Sequence, residues 1–361
     1  MRLGKLAALL ESKGLKAALI SKPANLAYLL EFPSSGLLLA TSDTVEVLVP
    51  ALDYWRVADA LGSEERVRII PYSRYELPDT VVKPEVRDAG SWILNRVKEL
   101  GVSAIGADST PPKIRERIEG SGVKVNDISE DLLRLRSVKD SREVEAIKKA
   151  LSISEGALKQ ILGNVKAGMR EYEVAALLES AMRFGGAEGY AFETIIASGP
   201  NAAYPHATPT SRALREGDAV VIDFGARFGG YCSDMTRTYV VGRPEQELRK
   251  ILEAVKLAVD AATDAAAPGV KASEVDAKAR EVLRREGLSK FFIHGLGHGV
   301  GLEVHERPTL SPSSEEVLEP GMVVTIEPGV YIHRKLGVRI ENMVLITKGG
   351  RVKLNTVPEL I

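Results

Sequence analysis

Residues 218–241 restrict how this chain can fold more than any other stretch. The run DAVVIDFGA reads as a strand, RFGG as a turn and YCSDMTRTYVV as a second strand, which is the pattern of a β-hairpin. With Phe228 and Gly229 as the two loop residues, Asp223 faces Asp234 on one side of the hairpin, with Cβ atoms about 5 Å apart. Facing carboxylates are destabilising, so we expect neutralisation by an opposing Arg or Lys or by a metal ion with further ligands.

The overall charge balance argues against some classes of function. Lysine plus arginine number 48 and aspartate plus glutamate 49, so a nucleic-acid partner held by bulk positive charge is disfavoured. Cys232 is the only cysteine, which excludes an intrachain disulfide framework and a cysteine zinc site. No apolar run follows a basic start, and none approaches the length of a membrane span. We therefore expect a cytoplasmic protein with no membrane partner.

A chain of 361 residues suits two domains. Residues 1–130 alternate helical and strand-like segments, which predicts a small three-layer α/β domain. This part has no histidine, no glycine-rich phosphate loop and no clustered carboxylates, so we expect a role as a scaffold, in substrate gating or in dimerisation. A long charged helical region follows, with a break near Lys139 and Asp140, and we place the boundary in it. Residues 131–361 then form the second domain.

Three of the five histidines lie in one glycine-interleaved run, HGLGHGVGLEVHE, at residues 294–306. They are His294, His298 and His305. A lone histidine is more often a satisfied core or surface residue than a ligand. Here the alternating glycines remove side chains beside His298 and let the backbone approach another group closely. The run therefore indicates a functional site.

Two glutamates follow in apolar strand patterns. The run MVVTIEPGVYI ends a strand at Glu327, where a buried carboxylate is costly unless it is paired or bound to a metal. The run LGVRIENMVLIT places Glu341 inside another apolar strand, with Arg339 two residues earlier on the same face. Either these two residues form an ion pair on an exposed strand face, or Glu341 belongs with the other carboxylates.

Taken together, these residues suit a metal site. Four carboxylates and one imidazole favour hard or borderline divalent ions such as Mn, Co, Zn or Fe. Four carboxylates are too many for one divalent ion and suit two ions about 3.5–4 Å apart. Such a pair lowers the pKa of a bridging water and polarises a carbonyl, which is the chemistry of amide hydrolysis. The candidate ligands are Asp223, Asp234, His298, Glu327 and Glu341.

With these motifs the chain resembles the pita-bread metallopeptidases, which include methionine aminopeptidase, Xaa-Pro aminopeptidase (aminopeptidase P), Xaa-Pro dipeptidase (prolidase) and the metal-free creatinases. The resemblance runs through FETIIASGPNAAYPHATP, VVIDFGARFGGYCSDMTRTY, FFIHGLGHGVGLEVHERP, GMVVTIEPGVYI and GVRIENMVLIT. It extends to NLAYLLEF, where the family usually has glycine in place of Glu31. It implies a creatinase-type three-layer α/β N-terminal domain and an α+β pita-bread catalytic domain.

The resemblance also implies a role for each candidate ligand. Asp223 would chelate one ion, and Asp234 and Glu341 would bridge both. His298 and Glu327 would complete the second ion's site. Glu327 would in addition be the general base.

A second group of residues would contact the substrate. His206 and His305 would hydrogen-bond the substrate and stabilise the tetrahedral oxyanion. His294 and Arg339 would line or brace the pocket, and Arg339 would position the bridging glutamate two residues later. The weaker substrate candidates are Tyr331 and Arg307, and we expect His333 to be a surface residue.

The N-terminal domain and the set of candidate ligands indicate which branch of the family the chain resembles. Methionine aminopeptidases generally lack the N-terminal domain, and creatinases and binding-only relatives tend to lack the ligands. We therefore expect a dinuclear Xaa-Pro dipeptidase, with Xaa-Pro aminopeptidase as the alternative and a non-enzymatic interaction module as a lower one. Arg307 could hold the substrate carboxylate. Some prolidases have the basic residue just after the proline, where this chain has Thr309. The expected partners are small proline-containing peptides and a second copy of the chain.

Overall fold

The structure is a computed structural model that describes residues 2–62, 64–76 and 79–360. The chain forms two compact units, Met1–Leu135 and Arg136–Ile361. Across the described ranges, no helix combines the length and the apolar character that spanning a membrane requires.

The first unit is built around one mixed six-stranded sheet with the order β4-β3-β2-β1-β5-β6. Strands β1 and β2 pair antiparallel, whereas β1 and β5 pair parallel. All four residues of β1 are buried, so both faces of the sheet are covered, which confirms the expected three-layer domain. Its helices and strands are α1 Leu3–Ser12, β1 Ala17–Ile20, α2 Pro23–Leu30, β2 Leu37–Thr41, β3 Val45–Pro50, α3 Tyr54–Leu61, β4 Val67–Tyr72, α4 Ala89–Glu99, β5 Ala104–Ala107, α5 Pro112–Glu119 and β6 Lys124–Asp127, followed by α6 Ser129–Ser137 at the unit boundary.

Glu31 is a position where we expect a substitution to stabilise the protein. It ends α2 in the left-handed conformation, with φ 54° and ψ 27°, which costs a non-glycine residue about 1 kcal/mol. Glycine adopts this conformation without that penalty. The carboxylate also lies 3.5 Å from Arg2 Nη2, and loss of this ion pair offsets part of the gain. We expect Glu31→Gly to raise the free energy of unfolding, measured by urea denaturation.

The matched control for this prediction is Glu31→Ala. Alanine removes the same carboxylate but keeps a Cβ in the left-handed conformation. The glycine variant should therefore exceed the alanine variant by about 1 kcal/mol. Equal stabilities of the two variants would contradict the assignment of strain to this residue.

The second unit mixes helices with several small antiparallel sheets. The longest sheet has the order β14-β13-β15-β18-β19, and a second has the order β12-β9-β8. The elements are α7 Ser141–Leu162, α8 Glu171–Phe184, β7 Gly189–Tyr190, β8 Ile195–Ser198, β9 Ala219–Phe224, β10 Ala226–Phe228, β11 Tyr231–Cys232, β12 Met235–Val240, α9 Gln246–Ala265, α10 Ala272–Arg285, β13 Gly297–Gly299, β14 Glu306–Leu310, β15 Val323–Ile326, β16 Gly329–Ile332, β17 Leu336–Arg339, β18 Asn342–Thr347 and β19 Gly350–Lys353.

Two apolar cores flank the strands of this unit. Helices α7 and α8 pack on one core, which contains Ile222 of β9 and Met343 of β18. Helices α9 and α10 pack on the other, which contains Val324 of β15 and Val344 of β18. The strands are therefore held between two helix pairs, the α+β arrangement that the resemblance implies.

The helix break predicted near residues 139–140 is present. Helix α6 ends at Ser137 and α7 begins at Ser141. Asp140 caps α7, because its side chain accepts hydrogen bonds from the backbone N–H groups of Arg142 and Glu143. The Glu143 carboxylate in turn accepts a hydrogen bond from the backbone N–H of Asp140.

The central hairpin has a different register from the one expected. Its loop is Gly229–Gly230, not Phe228–Gly229, because both loop residues have positive φ (58° and 78°) and a two-residue hairpin turn of this type favours glycine there. Asp223 consequently faces Thr236 instead of Asp234. The shift is two residues, and side chains alternate with period two, so Asp223 and Asp234 stay on one face as diagonal neighbours.

Candidate metal centre

Three carboxylates from distant parts of the second unit meet in its interior. Asp223 lies on β9, Asp234 immediately precedes β12, and Glu341 lies between β17 and β18. One carboxylate oxygen from each lies within 4.8 Å of the others. The three residues are 9, 5 and 1 % exposed, so the negative charges approach each other away from water.

Glu341 is not inside a strand, contrary to the sequence expectation. The chain changes partners at this point, because β17 pairs with β16 whereas β18 pairs with β15. Glu341 therefore lies in the break between two strands. Its backbone N–H donates to Thr236 O over 3.1 Å, and the Thr236 hydroxyl donates to Glu341 Oε2 over 2.8 Å. The break turns this carboxylate toward β9 and β12.

His298 and Glu327 lie beside the three carboxylates, and Glu327 directly follows β15. His298 lies on β13, and its Nε2 is 3.3 Å from Glu327 Oε1 and 3.7 Å from Asp234 Oδ2. Its Nδ1 is 3.1 Å from Gly299 O, which can only accept, so Nδ1 carries a proton. In the neutral ring the lone pair is then on Nε2, facing the carboxylates, which is the orientation of a metal ligand.

The cluster concentrates negative charge in a buried environment. Burial and then the neighbouring carboxylates raise the pKa of both Asp234 and Glu341 well above the usual range. Burial also raises the pKa of Asp223, although the Arg339 charge opposes this shift. Among the described residues, Asp223 Oδ1 and Glu341 Oε1 are buried acceptors without a hydrogen-bond donor. Divalent cations would satisfy both atoms, so the residues fit the metal set that the sequence predicts.

Arg339 pairs with Asp223 and not directly with Glu341. Its Nη2 is 2.5 Å from Asp223 Oδ2, and its Nε donates to the Thr236 hydroxyl over 3.1 Å. Thr236 in turn donates to Glu341, so Arg339 acts on that glutamate through a shared threonine. Arg339 is 3 % exposed, so the alternative of an exposed ion pair is wrong.

Tyr331 and His294 extend from Arg339 as a hydrogen-bonded chain. Arg339 Nη1 donates to the Tyr331 hydroxyl over 2.8 Å, and that hydroxyl is 3.0 Å from His294 Nε2. His294 Nδ1 lies 2.7 Å from Gly295 O and is therefore the protonated nitrogen. Tyr331 then donates to His294. Burial raises the pKa of Tyr331 to about 12 and lowers that of His294, so both groups are held neutral.

His206 and His305 lie at the more exposed side of the cluster. The His305 ring centroid is 4.3 Å from that of His298. Burial lowers the pKa of His305, and the His298 and His206 rings lower it further when they are protonated. His206 is exposed and follows the short 3-10 helix Gly199–Ala203.

The remaining candidates have contacts of their own. Arg307 lies on β14 and pairs with Glu316 over 3.1 Å, and the backbone N–H of Thr309 donates to the same carboxylate. A substrate contact by Arg307 stays a prediction. His333 is exposed beside the Tyr204 ring, as expected for a surface residue.

Sequence reasoning missed two residues that support the cluster. Thr236 joins Arg339 and Glu341, and the correct hairpin register would have placed it opposite Asp223. Glu171 is fully buried and accepts bonds from the backbone and side chains of the loop that carries His206. Its donors are Ser198, Asn201 and Thr210. No local signal marks Glu171, because its partners are 27 to 39 residues away.

Comparison with known proteins agrees with this geometry. The model of metallopeptidase family M24 matches residues 145–348, and the model of the Creatinase/Prolidase N-terminal domain matches residues 2–138. The chain therefore belongs to metallopeptidase family M24, which confirms the resemblance drawn from its motifs.

Individual relatives match over nearly the whole chain. The Xaa-Pro dipeptidase of Pyrococcus furiosus is 37 % identical, over 98 % of this chain and 97 % of its own length. The crystal structure of the X-Pro aminopeptidase from Thermotoga maritima has a TM-score of 0.87 at 33 % identity, covering 99 % and 98 % of the two chains. The prolidase structure from Pyrococcus furiosus has a TM-score of 0.84 at 35 % identity, covering 97 % and 99 %.

Proposed function

We propose that this protein is a prolidase that hydrolyses the peptide bond before proline, with a preference for Xaa-Pro dipeptides. The observation that carries the proposal is the buried carboxylate cluster, in which two acceptor oxygens lack donors among the described residues. The full-length similarity to a protein named Xaa-Pro dipeptidase supports the choice of substrate.

We further propose that the cluster binds two divalent ions, Mn or Co, with Zn or Fe as alternatives. Asp223 would hold one ion, and Asp234 and Glu341 would bridge both. His298 and Glu327 would complete the other site. When bound, such ions polarise the scissile carbonyl and acidify a water molecule.

Side chains of the protein would then transfer the proton and stabilise the developing negative charge. Glu327 is half-buried next to His298, and its carboxylate would accept a proton from the attacking water and return it to the leaving nitrogen. His206 and His305 would donate hydrogen bonds to the developing oxyanion. The lowered pKa of His305 favours the neutral form of its ring, and a neutral imidazole still offers one N–H donor.

The second candidate function is that of an Xaa-Pro aminopeptidase, which acts on longer peptides. The similarity to the Thermotoga maritima X-Pro aminopeptidase structure favours it. In either case, the first unit would gate substrate length as part of a homodimer.

Kinetics on two substrates separate these functions. A dipeptidase recognises the free carboxylate of the second residue, so Met-Pro should be hydrolysed with a higher kcat/KM than a Met-Pro-Xaa tripeptide. The assay is release of free methionine with each substrate after loading with Mn²⁺ or with Co²⁺. Much faster hydrolysis of the tripeptide would reject the dipeptidase assignment in favour of the aminopeptidase.

A further inference from the structure

Arg237 lies one residue beyond Thr236 on β12 and is fully buried. A guanidinium carries five N–H donors, and each of them reaches an acceptor here. All five acceptors are carbonyl oxygens, so the side chain acts as a geometric clamp. The bonds are Nε to Pro358 O (2.8 Å), Nη1 to Thr236 O (2.9 Å) and Glu341 O (2.5 Å), and Nη2 to Asn342 Oδ1 (3.0 Å) and Val357 O (2.9 Å).

The clamp holds the backbone of the candidate ligand Glu341 at a position where no strand pairing fixes it. Glu341 lies between two strands, so a regular ladder does not fix its peptide groups. Its N–H bonds to Thr236 O, and its C=O accepts from Arg237. Together with the Thr236 hydroxyl on its carboxylate, these contacts fix Glu341 at three points.

The other end of the clamp is the C-terminal segment, residues 355–359. Buried Glu155 of α7 accepts bonds from Thr356 and Val357, which anchors this segment to the helix layer. Asn355 Oδ1 accepts from the backbone N–H of Met343 on β18. The segment is thus hydrogen-bonded to both α7 and β18, and two of its carbonyl groups accept hydrogen bonds from Arg237.

We propose that Arg237 is a positioning residue of the metal centre, and that the C-terminal segment completes the clamp that holds Glu341 in its ligating position. A metal ligand shared between two ions tolerates little displacement, so its supporting contacts affect affinity directly. This proposal rests on the proposed metal set, although neither Arg237 nor the segment belongs to that set.

The test is Mn²⁺ binding by isothermal titration calorimetry to metal-free protein. Lysine has three donors and no planar fork, so Arg237→Lys leaves buried carbonyls without partners. We expect Arg237→Lys to weaken Mn²⁺ binding by about 10- to 100-fold, the range for loss of a contact that supports a ligand. Native affinity in the folded variant, with folding verified by near-UV circular dichroism, would overturn the proposal.

Leu178→Ala is the matched control for general destabilisation. Leu178 is fully buried on α8, and removing its side chain lowers the melting temperature through a cavity. This variant should bind Mn²⁺ with native affinity. Equal weakening in Leu178→Ala and Arg237→Lys would overturn the specific role of Arg237.

If Arg237→Lys does not fold, hydrogen–deuterium exchange of the native protein tests the proposal instead. Coupling between two sites is reciprocal, so a segment that supports metal binding must itself be stabilised by the metal. Mn²⁺ should therefore slow hydrogen–deuterium exchange at the backbone amides of residues 355–357. Unchanged exchange with Mn²⁺ bound would overturn the proposal alone, whereas native protein that binds no Mn²⁺ would also overturn the proposed function.

Discussion

Replacing Asp234 with alanine should abolish peptide hydrolysis and remove at least one metal ion. The residue is 5 % exposed, one of its oxygens lies within 4.8 Å of carboxylate oxygens from Asp223 and Glu341, and we propose that it bridges both ions. Metal polarisation contributes several kcal/mol to a reaction of this kind, so kcat/KM should fall by at least about a thousandfold. Activity on Met-Pro and metal content by plasma mass spectrometry check the prediction together.

Two further variants test whether the Asp234 charge is required and control for the loss of a surface carboxylate. Asp234→Asn keeps the shape of the side chain but removes its charge, and it should behave like the alanine variant if the charge is what binds the ion. Asp264→Asn is the control, because the Asp264 side chain is 76 % exposed and pairs with Arg351 on the surface. Full activity with two bound ions in Asp234→Ala would remove the bridging assignment.

The largest loss of stability should come from Glu306, which neutralises two buried cations. Its carboxylate contacts Arg136 and lies 3.2 Å from Lys139 Nζ, and all three side chains are 1 % exposed. Removing one partner leaves uncompensated buried charge, which costs about 3–5 kcal/mol. We therefore expect Glu306→Gln to lower the free energy of unfolding by about that amount, measured by urea denaturation at neutral pH.

The pH dependence of the free energy of unfolding tests the contacts of Glu306 with Arg136 and Lys139 independently. Burial raises the pKa of Glu306, but Lys139 and Arg136 lower it more, so the net shift is below the ordinary value of 4.5. A lowered native pKa means that the stabilisation is present above the unfolded-state pKa and is lost as the pH falls through the native one. The stability gap between native protein and Glu306→Gln should therefore shrink on acidification below about pH 4.5.

Glu303→Gln is the matched control for this second prediction. Glu303 also pairs with Arg136, over 2.8 Å, but its side chain is 33 % exposed. Solvent screens that pair, so its loss should cost about 1 kcal/mol or less. Equal destabilisation by Glu303→Gln and Glu306→Gln would contradict the argument from burial.

Local patterns in the sequence predicted several features well. Asp140 was expected at a helix break, and it caps α7 with bonds to residues two and three positions away. The strand alternation placed Asp223 and Asp234 on one face correctly. The predicted hairpin register was wrong because more than one pair of residues between Arg227 and Gly230 could form the two-residue loop. The choice between these pairs depends on the backbone φ angles of the loop residues, which the sequence does not give.

Non-local contacts explain what the sequence did not reveal. Glu341 was expected inside a strand, since an apolar run shows no sign that the chain changes pairing partner between Arg339 and Asn342. Arg237 has acceptors more than 100 residues away, at 341, 342, 357 and 358. Such partners depend on which segments meet in the folded chain, and no spacing rule within one segment predicts them.

The clamp on Glu341 has a consequence for local opening of the fold. The five candidate ligands lie at residues 223–341, but the carbonyl groups of Val357 and Pro358 that complete the clamp belong to a separate segment beyond them. The clamp is complete only while this segment is packed against α7 and β18. Local detachment of the segment would therefore loosen Glu341 without changing any candidate ligand.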